Sequence, residues 1–120
     1  ICTDGSLLDR HPRGAGSFPK VLGRYVRDLE LLPLELAIHK MTGLPAEHMG
    51  LSQRGKVAEG YIADLVLFDP DAIIDRATTQ APHRLSEGVS DVWVAGRRVL
   101  QSGINNDAFP GRVLRRMSAD

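Results

Sequence analysis

Apolar residues change period near the middle of the chain, and that change divides the expected architecture in two. In the first half Phe18, Val21, Leu22, Tyr25, Val26 and Leu29 recur at helical spacing, which gathers them on one face. Ser17 offers an N-cap oxygen, and Pro19 suits a first helical turn, where its missing N–H goes unused. Pro33 opens a second helix with a stripe of Leu34, Ala37, Ile38 and Met41, and Gly43 before Leu44-Pro45 ends it. A short helical turn is expected over 46–49, closed by Gly50.

After Gly50 the pattern becomes that of a sheet. Lys56-Val57 is a candidate short strand, Gly60 a turn, and Ala63 to Phe68 a strand stopped by Asp69-Pro70. Residues 71–88 are polar, irregular and broken by Pro82 and Gly88. Val89 to Val94 and Arg97 to Gln101 predict a hairpin around Ala95-Gly96, with Val92 and Val94 on one face and Trp93 on the other. Asn105 to Gly111 is a loop before a terminal Arg-Val-Leu-Arg-Arg segment.

The opening residues fit neither pattern. Ile1 to Thr3 reads as the end of a buried strand stopped by the turn pair Asp4-Gly5. Ser6 to Ser17 holds Pro12, Gly14 and Gly16 among charged residues without a period, a loop long enough to suspect of function. One strand cannot make a sheet by itself, so residues 1–50 are expected to belong to a larger α/β domain and residues 51–120 to a small β module. An opening of Ile1-Cys2-Thr3 without an initiator methionine reads as the interior of a longer chain.

Composition narrows the functional classes. At 42% hydrophobic and 25% charged, the 120 residues have a globular rather than a disordered make-up. The 15 basic and 15 acidic side chains balance, which removes electrostatics as a reason to expect nucleic acid or an anionic membrane. Arg112, Arg115 and Arg116 are too few for a polybasic patch and read as solvated. The lone Cys2 rules out an intramolecular disulfide and leaves no paired thiols for structural zinc; it fits a reducing cytoplasm and reads as a buried small residue rather than a nucleophile. No apolar run approaches the ~20 residues that span a bilayer.

Few residues carry chemistry, and each has two readings. Asp4 is either an ordinary turn carboxylate or a catalytic group, since the C-terminal end of an apolar strand is where α/β barrels place such groups. His11-Pro12-Arg13-Gly14 is either an anion clamp, with the Arg13 guanidinium offering its fork to a carboxylate, or a loop whose arginine pairs with Asp9 or with nothing. His39 and His48 read as solvated and His83 as a loop-stabilising residue; no two histidines are spaced to seed a metal site. Gly14-Ala15-Gly16-Ser17 lacks the lysine and glycine spacing of a phosphate loop.

Three segments in this order resemble a known family. Cys2-Thr3-Asp4-Gly5 followed by His-Pro-Arg-Gly-Ala-Gly-Ser-Phe-Pro-Lys-Val-Leu-Gly at 11–23 is similar to the eighth barrel strand and following loop of the D-aminoacylases, the N-acyl-D-amino-acid deacylases of the amidohydrolase superfamily. The segment 54–69, with Gly60-Tyr61-Ile62-Ala63-Asp64-Leu65 at its centre, looks like the return of many amidohydrolases to their accessory β-sandwich. The hairpin 92–99 and the ending 110–116 extend the likeness over nearly the whole chain; Ala95 stands where the family often has asparagine.

The resemblance implies the C-terminal end of a TIM-like (β/α)8 barrel, its last strand and helices in residues 1–50, joined to part of a small accessory β-sandwich in 51–120. It implies zinc-dependent hydrolysis of an N-acyl-D-amino acid, with Asp4 as general base then acid, Arg13 holding the substrate α-carboxylate, and His11 and Gly14 shaping that loop. The family's metal ligands, including a His-x-His pair, match nothing here. The metal is therefore expected on a missing N-terminal barrel, with Asp4 at most a weak or indirect ligand, and the piece alone is expected to retain little zinc and no activity. A homo-oligomer stays open, as do two rival parents: a hydantoinase or dihydroorotase-like cyclic amidase, and a non-catalytic scaffold.

Overall fold

The first helix starts at Arg13 rather than at Ser17, because Pro12 already has helical dihedrals (φ −61°, ψ −14°) and takes the cap position. In this computed structural model, which describes residues 1–6, 8 and 10–114, α1 spans Arg13–Lys20. Pro19 therefore lies inside the helix and not in its first turn. It has no N–H to offer the Ala15 carbonyl four residues back, and the Ser86 hydroxyl donates to that carbonyl instead, at 3.2 Å. Beyond Lys20 the helix continues as a π-helical segment, Val21–Asp28, closed by the Leu29 N–H donating to the Arg24 carbonyl at 2.9 Å.

Helix α2, Leu34–Met41, follows the expected stripe, and Thr42 (φ −129°, ψ −80°) breaks it. Gly43 then begins α3, Gly43–His48, so the third helix starts before the short turn expected from 46.

Four antiparallel strands form one sheet in the order β1-β2-β3-β4: Leu65–Phe68, Val89–Val94, Arg97–Gln101 and Ile104–Asn105. The β2–β3 turn places Ala95 at φ 50° and Gly96 at φ 77°, the paired left-handed residues that match the twist of a two-residue hairpin. Asp64 secures it by accepting the Ala95 N–H at 2.8 Å. Ser102 (φ 50°) and Gly103 (φ 77°) repeat the device and add β4, which falls at the edge of the expected loop.

The core joins the two halves. Leu22, Ala37 and Ile73 are its buried members, with Val26, Leu34, Ile38, Phe68 and Val89 packed around them. Ile73, only 1% exposed, comes from the irregular stretch 69–88. That stretch is an ordered strap: the Ile73 N–H donates to the Asp69 carbonyl at 2.8 Å, and Ile74 bridges Glu87. Arg27 ties the strap to the π-helical segment by donating to the carbonyls of Ile73 (2.7 Å) and Asp71 (3.2 Å). Gly23 permits the approach, since a Cβ there would stand 2.5 Å from the Ile73 oxygen.

Two expected strands are not formed. Ile1 to Thr3 has no ladder partner among the described residues, and without one Ile1 and Cys2 are exposed, contrary to the buried cysteine expected. Lys56-Val57 is also unpaired, with Val57 89% exposed. Arg112 is exposed, while Arg115 and Arg116 lie outside the described residues.

Candidate active site

Asp4 and Arg13 meet where the opening segment crosses the start of α1. Arg13 Nη1 donates to Asp4 Oδ2 at 3.0 Å. The approach is set by backbone: a Cβ on Gly5 would fall 2.6 Å from Gly14 Cα, so only glycine lets the segment lie against the first helical turn. Asp4 itself takes a left-handed conformation at φ 50°, which aspartate tolerates better than most residues.

The rest of the loop supports that meeting. His11 Nδ1 accepts the Arg13 N–H at 3.1 Å, and the His11 carbonyl accepts the Gly14 N–H at 3.4 Å. Thr3 Oγ1 accepts the Gly5 N–H at 3.2 Å, and Ser17 Oγ donates to the Arg13 carbonyl at 2.8 Å. From the other side the strap abuts the same turn: a Cβ on Gly16 would sit 3.2 Å from Asp75 Cβ and 3.4 Å from Ala77 Cβ. With Ser86 bonded to Ala15, the strap fixes the helix end that carries Arg13.

Four residues singled out in the sequence thus come together: Asp4, His11, Arg13 and Gly14. Arg13 pairs with Asp4; its alternative partner Asp9 lies outside the described residues. Gly5, Gly16 and Ser86 were not legible as contributors, although a proline at the seventh position of α1 is a signal that the Ala15 carbonyl needs another donor.

The pair is open to solvent, with the Asp4 side chain 83% exposed and that of Arg13 41%. An ion pair so exposed is worth about 0–1 kcal/mol. It orients two groups more than it stabilises the fold. A cleft of about 590 Å³ on the sheet, bounded by Leu67, Ala72, Val89 and Gly103, is separate and includes neither residue.

These side chains do not fit a metal site on their own. Among the described residues no three His, Cys, Asp or Glu side chains stand together. His39, His48 and His83 are all exposed and belong to separate segments. What the arrangement offers is a solvent-facing carboxylate beside a guanidinium, a proton acceptor next to an anion binder.

Comparison with known proteins agrees on one relationship. The model of the amidohydrolase family matches residues 2–100. The D-aminoacylase of Alcaligenes xylosoxydans xylosoxydans is 49% identical over 121 residues, 99% of this chain and 25% of the relative. The N-acyl-D-glutamate deacylase of the same organism is 52% identical over 118 residues, 97% of this chain and 24% of the relative. Among solved structures, a crystal structure of D-aminoacylase superposes with a TM-score of 0.85 at 49% identity, covering 88% of this chain and 22% of that one. The N-acyl-D-glutamate deacylase of Bordetella bronchiseptica, complexed with zinc and a phosphonate mimic of the tetrahedral intermediate, gives 0.73 at 49% identity over 74% of this chain and 19% of that one. The chain spans about a quarter of the length of the curated relatives it matches.

Proposed function

The chain belongs to the amidohydrolase family, and from that premise we propose that it is the C-terminal portion of a zinc-dependent hydrolase that converts an N-acyl-D-amino acid into a carboxylate and a free D-amino acid. The observation that carries this reading is the contact between Asp4 and Arg13 at 3.0 Å. It sets one proton-accepting group directly beside one carboxylate-binding group.

In this reading zinc would be held by side chains outside this chain, and when bound it would supply Lewis-acid polarisation of the amide carbonyl and a more acidic water. The chain's own part is proton transfer and orientation. Asp4 takes a proton from the attacking water as its oxygen bonds to the acyl carbon. It then delivers that proton to the amine nitrogen as the C–N bond breaks, so one carboxylate serves as base and then acid. Arg13 holds the substrate α-carboxylate through its guanidinium fork, and His11 and Gly14 hold the loop that presents it.

The architecture proposed for the whole protein follows the same line: residues 1–50 complete a (β/α)8 barrel and residues 51–120 contribute strands to an accessory sandwich. Unfinished surfaces support it. Leu31 and Leu36 of the helical half are exposed, and Val66 and Leu67 of β1 are both more than half exposed. A barrel and a second sheet would cover such faces.

The test is to assay the complete zinc-loaded protein against N-acyl-D-amino acids, their L enantiomers and hydantoins. Hydrolysis confined to the D series is the expected result. Turnover of hydantoins with none of acyl-amino acids would sink the proposal, and no hydrolysis of any of them would favour a scaffold.

A further inference from the structure

We infer that Ser86, on the strap between β1 and β2, is a positioning residue for substrate binding: its hydroxyl holds the first turns of α1 so that the Arg13 guanidinium meets the substrate's α-carboxylate. This rests on the role given to Arg13 above and adds to it a residue of the sheet half, 71 positions along the chain from the carbonyl it bonds.

The contact answers a need that the helix sequence creates. Pro19 removes the N–H that would donate to the Ala15 carbonyl, in the turn that Arg13 begins. A part-buried carbonyl short of a donor costs free energy, so the backbone around it loosens or another donor is found. The Ser86 hydroxyl, 3.2 Å away, is that donor. Its aim is set by the strap. Leu85 and Glu87 are exposed, whereas Ser86 between them is half-buried and turned to the helix. Glu87 and Ile74 exchange backbone hydrogen bonds of 3.0 and 3.1 Å, which fixes the chain immediately after the serine.

The strap is tied to the helical half at two places with different consequences. Arg27, donating to the Ile73 and Asp71 carbonyls, holds the π-helical segment against the core. Ser86 on Ala15, with Gly16 against Asp75 and Ala77, holds the turn that begins at Arg13. The first tie governs stability, and the second governs where the guanidinium stands. Paired N–H bonds from a guanidinium to a carboxylate depend on orientation. Binding lost equally from substrate and transition state appears in KM and not in kcat.

The experiment measures KM and kcat for an N-acyl-D-amino acid in the complete zinc-loaded protein, with zinc content and melting temperature on each preparation. Ser86→Ala is expected to raise KM about 2- to 12-fold, the worth of one neutral hydrogen bond, with kcat and zinc retained. Ser86→Thr, which keeps the hydroxyl, should restore KM. In an Arg13→Ala background Ser86→Ala should raise KM no further, since two residues acting through one contact are not additive. Arg27→Lys should lower the melting temperature and leave KM unchanged. An unchanged KM in Ser86→Ala, an undiminished effect of that substitution in the Arg13→Ala background, or an equal rise of KM in Arg27→Lys overturns the inference. If Ser86→Ala fails to retain zinc, Ser86→Cys reads the same contrast with a weakened donor of similar size. Arg13→Ala alone separates the two levels: no rise of KM there removes the role given to Arg13, whereas a rise there with none in Ser86→Ala removes only the role given to Ser86.

Discussion

The junction between the first helix and the 69–88 strap is packed to contact, whereas the four-stranded sheet buries no side chain fully. At the junction Gly16 and Gly23 admit neighbours that a methyl group would push away, Ile73 is sealed, and Ser86 and Arg27 satisfy helix and strap carbonyls. In the sheet, ladder hydrogen bonding, interrupted only by register shifts at Leu67/Phe68 and Val92/Trp93, coexists with half-exposed apolar residues. Regularity and burial are separable: the region with the less regular backbone is the one that fixes the candidate site, because it presses on the helix end bearing Arg13.

The comparison can be tested by substitutions in the complete protein. The largest effect is expected at Ile73: Ile73→Ala should lower stability by about 2–5 kcal/mol, through lost transfer energy and a cavity beside Leu22 and Ala37. Val57→Ala, at a residue 89% exposed, should stay within about 0.5 kcal/mol in denaturant melts. Similar costs at the two positions would break the contrast.

A second substitution separates site geometry from stability. Gly5→Ala would drive a methyl group into Gly14 Cα, moving Asp4 away from Arg13. Turnover of acyl-amino acid should fall on the order of 100-fold, the cost of a displacement of about 1 Å in a reacting group, with little change in melting temperature. Unchanged turnover would show that the close approach does not position Asp4.

The smallest effect concerns the strap's ion pair. Arg76 Nη2 donates to Glu87 Oε2 at 2.6 Å, and this bond holds the Glu87 carboxyl below its ordinary value of 4.5. A depressed carboxylate contributes stability above its unfolded value and loses it as pH falls through the folded one. Glu87→Gln should therefore lower the melting temperature slightly near neutral pH, with the gap closing as pH falls well below 4.5. A gap that persists in acid would assign the loss to packing instead.

What could be read in advance follows the same division. The β2–β3 hairpin was legible because Ala95-Gly96 falls between two runs of strand-forming residues, and α2 because Leu34, Ala37, Ile38 and Met41 mark a stripe. Both signals are local. The start of α1 was not legible: Pro12 could open a helix or stiffen a loop, and contacts from residues more than sixty positions away favour the helix. The burial of Ile73 is not legible for a related reason, since an apolar residue in an aperiodic stretch has no pattern to announce it. Ile1 to Thr3 has strand-prone residues but no ladder partner among those described. Of the candidate site, Asp4 and Arg13 were visible as chemical types and their segments by resemblance, but the glycine contact joining them depends on tertiary structure.

The central claim is that the Asp4 carboxylate carries the proton in an acyl-amino acid hydrolase. Its most direct test is kcat of the Asp4→Asn variant of the complete protein, measured with zinc content and melting temperature on the same preparation. The account predicts a fall on the order of 100- to 10,000-fold, the usual contribution of a positioned acid–base group, with metal and melting temperature retained. An Asp4→Asn protein that keeps its zinc and turns over N-acyl-D-amino acids at the unmodified rate would contradict it.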